Sequence, residues 1–188
     1  MGKVIFADVE SMSEMVQSRF HGTPKLPKEA PDDYEERTWR EKAHVNSDGH
    51  VLIPPGAWKN CLTSAAQYLG IRIPGKGTST YTKNFAAGVM VIDPTVLEVR
   101  KEQLTRKAMF VPSDGKRGGG KRVVRIFPQI DSWKGTVKIF VFDDTVTPDV
   151  LHQHLTQAGV FIGLGAFRPI NNGWIGRFSV TGFKVEAI

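Results

Sequence analysis

The sequence has little that would support a disulfide, a metal site or a membrane anchor. Its 188 residues include one cysteine, Cys61, so no disulfide can form within the chain, which fits a reducing compartment. HExxH and CxxC patterns are absent, and we predict no metal ion and no other cofactor. No apolar run approaches the roughly 20 residues of a membrane-spanning helix, and the acidic start MGKVIFADVE does not fit a secretion signal. We therefore expect a cytoplasmic protein with no membrane partner.

The net charge is modest, but the basic residues are unevenly distributed. A formal net charge of +6 favours an anionic partner without identifying it. Residues 113–125, SDGKRGGGKRVVR, have one acid and three consecutive glycines, and we predict a basic hairpin whose tip contacts a nucleic-acid backbone. A charged loop that only favours solubility is the alternative. The predicted phosphate-binding residues of this segment are Lys116, Arg117, Lys121, Arg122 and Arg125.

A glycine-rich stretch, GVFIGLGAFRPINNGWIGRF, spans residues 159–178 and contains five isolated glycines. Isolated glycines mark places where the backbone takes positive φ or where another group comes close to it. Arg168, Trp174 and Arg177 lie among them. Guanidinium groups and flat aromatic rings are suited to holding phosphates and bases, so we predict that these three residues bind nucleic acid. The alternative is a glycine-rich turn with aromatic residues in the core.

The clearest helix signal lies within residues 51–70, where Pro54 and Pro55 precede an apolar pattern and Gly70 marks the end. Lys59, near the start of this helix, is placed to bind a phosphate together with free backbone amides. Lys76 and Lys83, in the polar segment that follows, would extend the same basic track. The sequence GKGTST in that segment departs from GxxxxGK[ST], which excludes a nucleoside-triphosphate hydrolase of that type.

The remaining segments complete a recognisable order of elements. Residues 10–50 interrupt the apolar pattern, and we predict an insertion there with a short helix near 33–42. A second helix over 148–158 has Thr147 as its N-cap. The predicted strands are 3–9, one or two within 89–100 with a turn at Asp93–Pro94, 123–127, 135–142 and 174–185. The order β-α-β-β-α-β predicts an α+β, ferredoxin-like (RRM-like) fold, in one domain over 1–188 with the 10–50 insertion and the 113–125 hairpin loop.

Two motifs resemble those of a known superfamily. The sequence from Ile53 to Lys59, IPPGAWK, followed by a helix, resembles the iPGsslkG motif of RAMP proteins, the RRM-like superfamily of CRISPR-associated proteins. The stretch from 159 to 168, with Gly173 and 176–178, resembles the glycine-rich loop near the C-terminus of that superfamily. The insertion and the basic hairpin resemble the extra elements of its backbone-forming, Cas7-like branch.

That resemblance implies subunits that line up along single-stranded RNA and hold it by phosphate contacts. The sequence departs from the pattern at Asn60, where the family often has glycine, and it is short for a full CRISPR backbone subunit. We therefore expect a stand-alone relative, bacterial or phage-encoded, in the bacterial or phage-infected host cytoplasm. It would bind single-stranded DNA or RNA through the same kind of phosphate contacts.

Three functions follow as hypotheses. The first is a non-enzymatic protein that binds single-stranded nucleic acid and self-associates along it, as an oligomer or filament. The second is a metal-independent RNA endonuclease with a histidine as general acid or base, for which His21 is the best placed. The other candidates are His44, His50, His152 and His154. The third is a non-enzymatic inhibitor or decoy that enters a CRISPR-type complex by resembling its subunits.

Overall fold

The computed structural model of the chain describes residues 2–115, 118 and 120–187. Its α-helices are α1 (Pro31–Thr38), α2 (Pro55–Leu69), α3 (Thr82–Gly88) and α4 (Pro148–Phe161). Its strands are β1 (Lys3–Ser11), β2 (Met15–Val16), β3 (His50–Ile53), β4 (Val89–Val91), β5 (Thr95–Arg100), β6 (Thr105–Pro112), β7 (Arg122–Ile130), β8 (Lys134–Val141) and β9 (Phe178–Ala187). Within the described ranges, no helix is both long and apolar enough to cross a bilayer.

A four-stranded antiparallel sheet forms the centre of the protein, in the order β4-β8-β1-β9. Along the chain, β1, α2, β4, β8, α4 and β9 give the order β-α-β-β-α-β. The central strand β1 alternates, so that Ile5, Ala7 and Val9 are buried while Asp8 and Glu10 face outward. The α+β, ferredoxin-like fold predicted from the sequence is confirmed.

The helices α2 and α4 cover the inner face of this sheet, and local sequence sets their ends. Pro55 opens α2, where its missing N–H group would have had no helical partner, and Gly70 ends it with φ of 55°. The Thr147 hydroxyl caps α4 by accepting the Val150 N–H at 3.3 Å, as predicted. The apolar stripes that both helices bury against the sheet are Trp58, Cys61, Leu62, Ala65 and Ala66 from α2 and Leu151, Leu155 and Ala158 from α4.

The 10–50 segment returns to the protein core at both of its ends. Met15 and Val16 are buried as strand β2, which pairs with β7, and Trp39 is buried in the short 3-10 turn after α1. The short helix predicted near 33–42 is present as α1 and that turn. Residues 18–30 contain no regular element and run along the surface.

Several predicted boundaries differ from the structure. Val51–Ile53 belong to strand β3, because the helix starts only at Pro55, and β7 continues to Ile130. The last strand begins at Phe178, whereas the sequence predicted its start at Trp174. The reason is that Gly176 bonds elsewhere: its N–H donates to the Glu14 carbonyl and its carbonyl accepts from Leu164 N. The backbone before Phe178 therefore belongs to the glycine-rich loop.

The buried ring of His154 on α4 makes the stability of the fold depend on pH. Burial lowers the pKa of His154, although its hydrogen bond to the Val150 carbonyl raises it; the Phe85 ring lies 4.4 Å away. The folded ring stays neutral below pH 6.5, whereas the unfolded chain binds a proton there. We expect the free energy of unfolding to fall as the pH drops from 7.5 to 5. Urea unfolding of His154→Leu should show a weaker fall than the wild type.

The exposed neighbour His152 provides the control for this prediction. His152→Leu removes a histidine from the exposed side of the same helix and is the variant with which His154→Leu is compared. Burial also lowers the pKa of His44, and so part of the dependence should remain in His154→Leu. Identical pH profiles for the wild type and His154→Leu would contradict the assignment.

Candidate nucleic-acid interface

The glycine-rich loop joins α4 to β9, and its shape depends on close contacts between backbone segments. A Cβ atom at Gly159 would overlap the carbonyl group of Phe178, and one at Gly173 would overlap that of Phe167. No side chain fits at either place, so these two glycines are required by close approach, as the sequence suggested. The loop is therefore packed against itself, and the last turns of α4 are packed against the start of β9.

Backbone hydrogen bonds also fix the loop to the segment around β2. The Ala166 N–H donates to the Val16 carbonyl at 2.9 Å, and the Gly176 N–H donates to the Glu14 carbonyl at 2.8 Å. Arg177 adds two bonds from its side chain, to the carbonyls of Val160 at 3.1 Å and Trp174 at 2.8 Å. These bonds hold the loop in one conformation and use the Arg177 guanidinium for its support.

Two adjacent cavities lie along this loop. The first, of about 380 Å³, is next to the start of α2, and the second, of about 520 Å³, lies between the loop and the β6–β7 hairpin. Ser18, Ala166 and Asn171 line both cavities, so the two form one continuous groove. We call it the loop–hairpin groove. Its polar end is the first cavity and its apolar end is the second.

Arg168 supplies a cation to the polar end. Its guanidinium has no hydrogen bond or ion pair with any of the residues that the structure describes, and it lines the cavity together with Asn60 and His44. Pro54 and Ala57 also line it, so the positive end of the α2 helix dipole borders the same space. A cation without a partner beside a helix N-terminus is a suitable place for a phosphate group.

His44 and Arg19 add to the electrostatics of the polar end. Burial lowers the pKa of His44, and the charge of Arg19 lowers it further. The His44 ring is therefore neutral at pH 7, and Arg19 adds positive charge on the side of the cavity where His44 lies. Cys61, behind Arg168, is fully buried, and burial raises the pKa of its thiol to about 12. The thiol is thus unreactive, consistent with a core role.

Two exposed aromatic rings stand at the apolar end. Trp174 is 57% exposed and Phe110, on β6, is 62% exposed. The Arg122 guanidinium lies 5.6 Å from the centre of the Phe110 ring, and Phe127 and Phe167 form an edge-to-face pair at 5.2 Å. Exposed rings beside a cation are the combination that stacks nucleic-acid bases. Phe110 was not identified from the sequence, although the run Met109–Val111 before the basic segment could have indicated it.

Two other predicted binding residues use their donors inside the protein. The Lys59 ammonium donates to the carbonyls of Phe85, Ala86 and Val89 at 2.7, 2.8 and 2.6 Å, and burial lowers its pKa. Arg125 pairs with Glu35 at 2.8 Å. The groups that these residues bind are distant in sequence, so no local pattern indicated these contacts. In this structure both stabilise the fold.

Of the remaining predicted cations, some lie beside the groove and others do not line it. Lys121 and Arg122 are exposed at the hairpin, and Arg122 lines the apolar end. Lys116 and Arg117 lie outside the described residues. Lys76 and Lys83 are exposed near α3, away from the residues that line the groove.

The histidines are also separated. His21 stacks on Tyr34 with ring centres 6.1 Å apart, His50 lies in β3, and His152 and His154 lie on opposite sides of α4. His44 is the histidine that lines the groove, whereas the sequence favoured His21. Among the described residues, no group of three or more His, Cys, Asp or Glu side chains is placed to hold a metal ion.

The chain was compared with protein-family profiles, curated proteins and solved structures. No protein-family profile and no curated protein matches the chain. Solved structures do match it, among them the following two. One is a chain of the type III-B Cmr-beta complex bound to cognate target RNA, with 11% identity and a TM-score of 0.57 over 98% of this chain and 60% of that one. The other is Cmr6 from Pyrococcus furiosus, with 13% identity and a TM-score of 0.53 over 96% of this chain and 99% of that one.

The chain has the fold of these two structures. Both similar proteins are Cas7-like RAMP proteins of type III CRISPR complexes, so the resemblance drawn from the sequence motifs is confirmed at the level of the fold. At identities of 11% and 13% the likeness establishes the fold, and it does not by itself establish a ligand. The glycine-rich loop and the hairpin of this chain are the two walls of the loop–hairpin groove.

Proposed function

We propose that this chain binds single-stranded RNA in the loop–hairpin groove, as a subunit of a CRISPR-type complex. The observation that carries the proposal is the continuous groove, which has the unpaired Arg168 at one end and exposed Phe110 and Trp174 at the other. The likeness to a chain from a complex bound to target RNA supports RNA as the ligand.

The chemistry of the groove fits one strand with unpaired bases. A phosphate would accept hydrogen bonds from Arg168 near the start of α2, and the amide of Asn60, which lines the same cavity, could bond to a 2′-hydroxyl. A base would stack on Trp174 or Phe110. Duplex RNA or DNA cannot supply such a base, because its bases are already stacked and paired.

The direct test is fluorescence anisotropy with labelled 30-mers of single-stranded RNA, single-stranded DNA and duplex DNA across a salt series. We expect the tightest binding to single-stranded RNA, with a log–log salt slope of about −0.7 per phosphate contact. No binding to any of the three at low salt would overturn the proposal. Co-purification with a protein complex without nucleic acid would then favour the inhibitor or decoy role.

Self-association along the strand is part of the proposal. Copies that repeat head to tail along one RNA would form an open filament, because such contacts do not close on themselves. Sedimentation velocity with RNA of increasing length should then show complexes that grow with the RNA. A single bound copy on every length would contradict self-association but not RNA binding.

The hairpin's contribution gives a separate prediction. Lys121→Gln combined with Arg122→Gln should flatten the salt slope by about 1.4, because two phosphate contacts of about 0.7 each are lost. The measurement is the same anisotropy titration. Lys134→Gln, which removes an exposed cation on the outer face of β8, is the control and should leave the slope unchanged. An unchanged slope in the double variant would exclude phosphate contacts by these two residues.

A metal-independent endonuclease is the second candidate, favoured by the position of His44. This histidine lines the same cavity as Arg168, and its lowered pKa leaves it able to accept a proton from a 2′-hydroxyl at pH 7. Cleavage of RNA, but not DNA, in EDTA and its loss in His44→Ala would support this activity. Intact RNA after prolonged incubation with the wild-type protein would exclude it.

A further inference from the structure

A basic segment precedes the insertion helix and, after its first residue, extends beyond the loop–hairpin groove described above. Residues 18–28, SRFHGTPKLPK, contain three cations and no acid; we call this segment the basic arm. Phe20 on this arm is 89% exposed. A flat aromatic ring that is almost fully in water, next to Arg19, is accessible for stacking on a base.

The basic arm is held in place by helix α1. The Tyr34 hydroxyl donates to the Thr23 carbonyl at 2.7 Å, and the Arg37 guanidinium donates to the Pro24 carbonyl at 3.0 Å. The Lys25 ammonium lies 5.6 Å from the centre of the Tyr34 ring. The backbone of the arm is therefore fixed to α1, while the Phe20 ring is left free of it.

The basic arm is continuous with the loop–hairpin groove. Ser18, its first residue, lines both cavities of the groove, and Arg19 acts electrostatically on His44 in the polar end. Phe20 is two residues beyond Ser18, so its Cα lies within about 7 Å of the groove wall. A strand that leaves the groove past Ser18 meets Phe20 next.

The charges around the arm favour a polyanion. Glu29, the nearest acid in the sequence, forms an ion pair with Arg37 at 2.7 Å. Asp32 and Glu36 line a different cavity together with Arg106. Neither Arg19 nor Lys28 has an ion-pair partner among the described residues, so both charges are available to phosphates.

We infer that the basic arm is a second contact site for single-stranded nucleic acid, on the path of the strand that leaves the groove. A base stacks on Phe20, and Arg19, Lys25 and Lys28 contact the adjoining phosphates. This inference rests on the proposed function, because it requires a strand in the loop–hairpin groove. It extends the binding site to a part of the insertion that overall charge did not single out.

The test compares two RNA lengths. An oligomer of about 6 nucleotides fills the groove alone, whereas one of about 16 nucleotides also reaches the arm. We expect Phe20→Ala to weaken binding of the longer RNA about tenfold and to leave the shorter one unchanged. Lys25→Gln with Lys28→Gln should flatten the salt slope for the longer RNA only. Phe142→Ala, which removes an exposed ring from the outer face of the sheet, should change neither.

The possible outcomes separate the inference from the function on which it depends. Wild-type protein that binds neither RNA would overturn the proposed function itself. Wild-type binding of both lengths, with no loss in Phe20→Ala, would overturn the arm alone. A third outcome is that Phe20→Ala binds both RNAs normally but no longer self-associates. This result would show that Phe20 contacts another copy of the protein, and it would also overturn the inference. Because Phe20 is exposed, its removal should not change the urea midpoint, so a loss of binding will not reflect unfolding.

Discussion

Arg168→Gln combined with Trp174→Ala is expected to weaken binding of single-stranded RNA by about 100-fold. Loss of one stacked base costs about 1–3 kcal/mol, and loss of a hydrogen bond to a charged group costs about 1.5–3 kcal/mol. A combined loss of about 3 kcal/mol corresponds to that factor, since about 1.4 kcal/mol is tenfold. Fluorescence anisotropy at fixed salt measures it.

The single variants should separate the two ends of the groove. Arg168→Gln should reduce the salt slope by about 0.7, because it removes one phosphate contact. Trp174→Ala should weaken binding without changing the slope, because stacking releases no counterions. The matched control is Lys134→Gln with Phe142→Ala, which removes one cation and one ring from the outer face of the sheet. If the control loses as much affinity as the groove variant, binding does not occur in the groove.

Glu35→Gln is expected to lower the free energy of unfolding by about 3 kcal/mol. The variant removes the buried carboxylate that compensates the positive charges of Lys42 and Arg125. The Glu35 side chain accepts bonds from Lys42 at 2.6 Å, Arg125 at 2.8 Å and the Ile126 N–H at 3.1 Å. Burial raises the pKa of Glu35, but these bonds lower it more, so the carboxylate stays ionised. The contribution is present above the unfolded pKa of about 4.3 and is lost as the pH falls below it.

Glu36→Gln is the control for that prediction. Glu36 is the next residue, and its ion pair with Arg106 at 2.8 Å is half-exposed on both sides, so its loss should cost less than 1 kcal/mol, within the usual range of about 0–1. Urea unfolding followed by circular dichroism compares the two variants. Equal destabilisation would show that Glu35 is no more than a surface charge. Since Glu35 joins α1 to β7, its loss should also loosen the hairpin.

Local sequence was enough to predict the main elements of the fold. Pro55, Gly70 and Thr147 placed the ends of α2 and α4, and apolar alternation identified β1 and β8, so the β-α-β-β-α-β order followed. Trp174 was assigned to a strand because its neighbours are apolar. Its true place in a loop depends on Gly176 bonding to residues far away in the chain.

The site was harder to predict, because a cation's availability depends on contacts that are distant in sequence. Lys59 and Arg168 are both basic residues near an apolar helix or loop, yet the Lys59 donors are used by carbonyls about 26–30 residues further along, while Arg168 faces the groove. Phe110 faces the groove because of how the hairpin packs against the loop. The spacing of residues along the sequence shows neither which cations are already bonded nor how the hairpin packs against the loop.

The packing of Gly159 and Gly173 against carbonyl groups has a consequence for how this protein can diversify. The loop that forms one wall of the groove is held by these two close contacts, which accept no side chain, so its backbone behaves as a fixed template. The other wall is a hairpin outside the central sheet, joined to β5 and β8 by short connections. Descendants of this chain can therefore change ligand preference by exchanging hairpin residues or length, while the ferredoxin-like body and its loop stay the same.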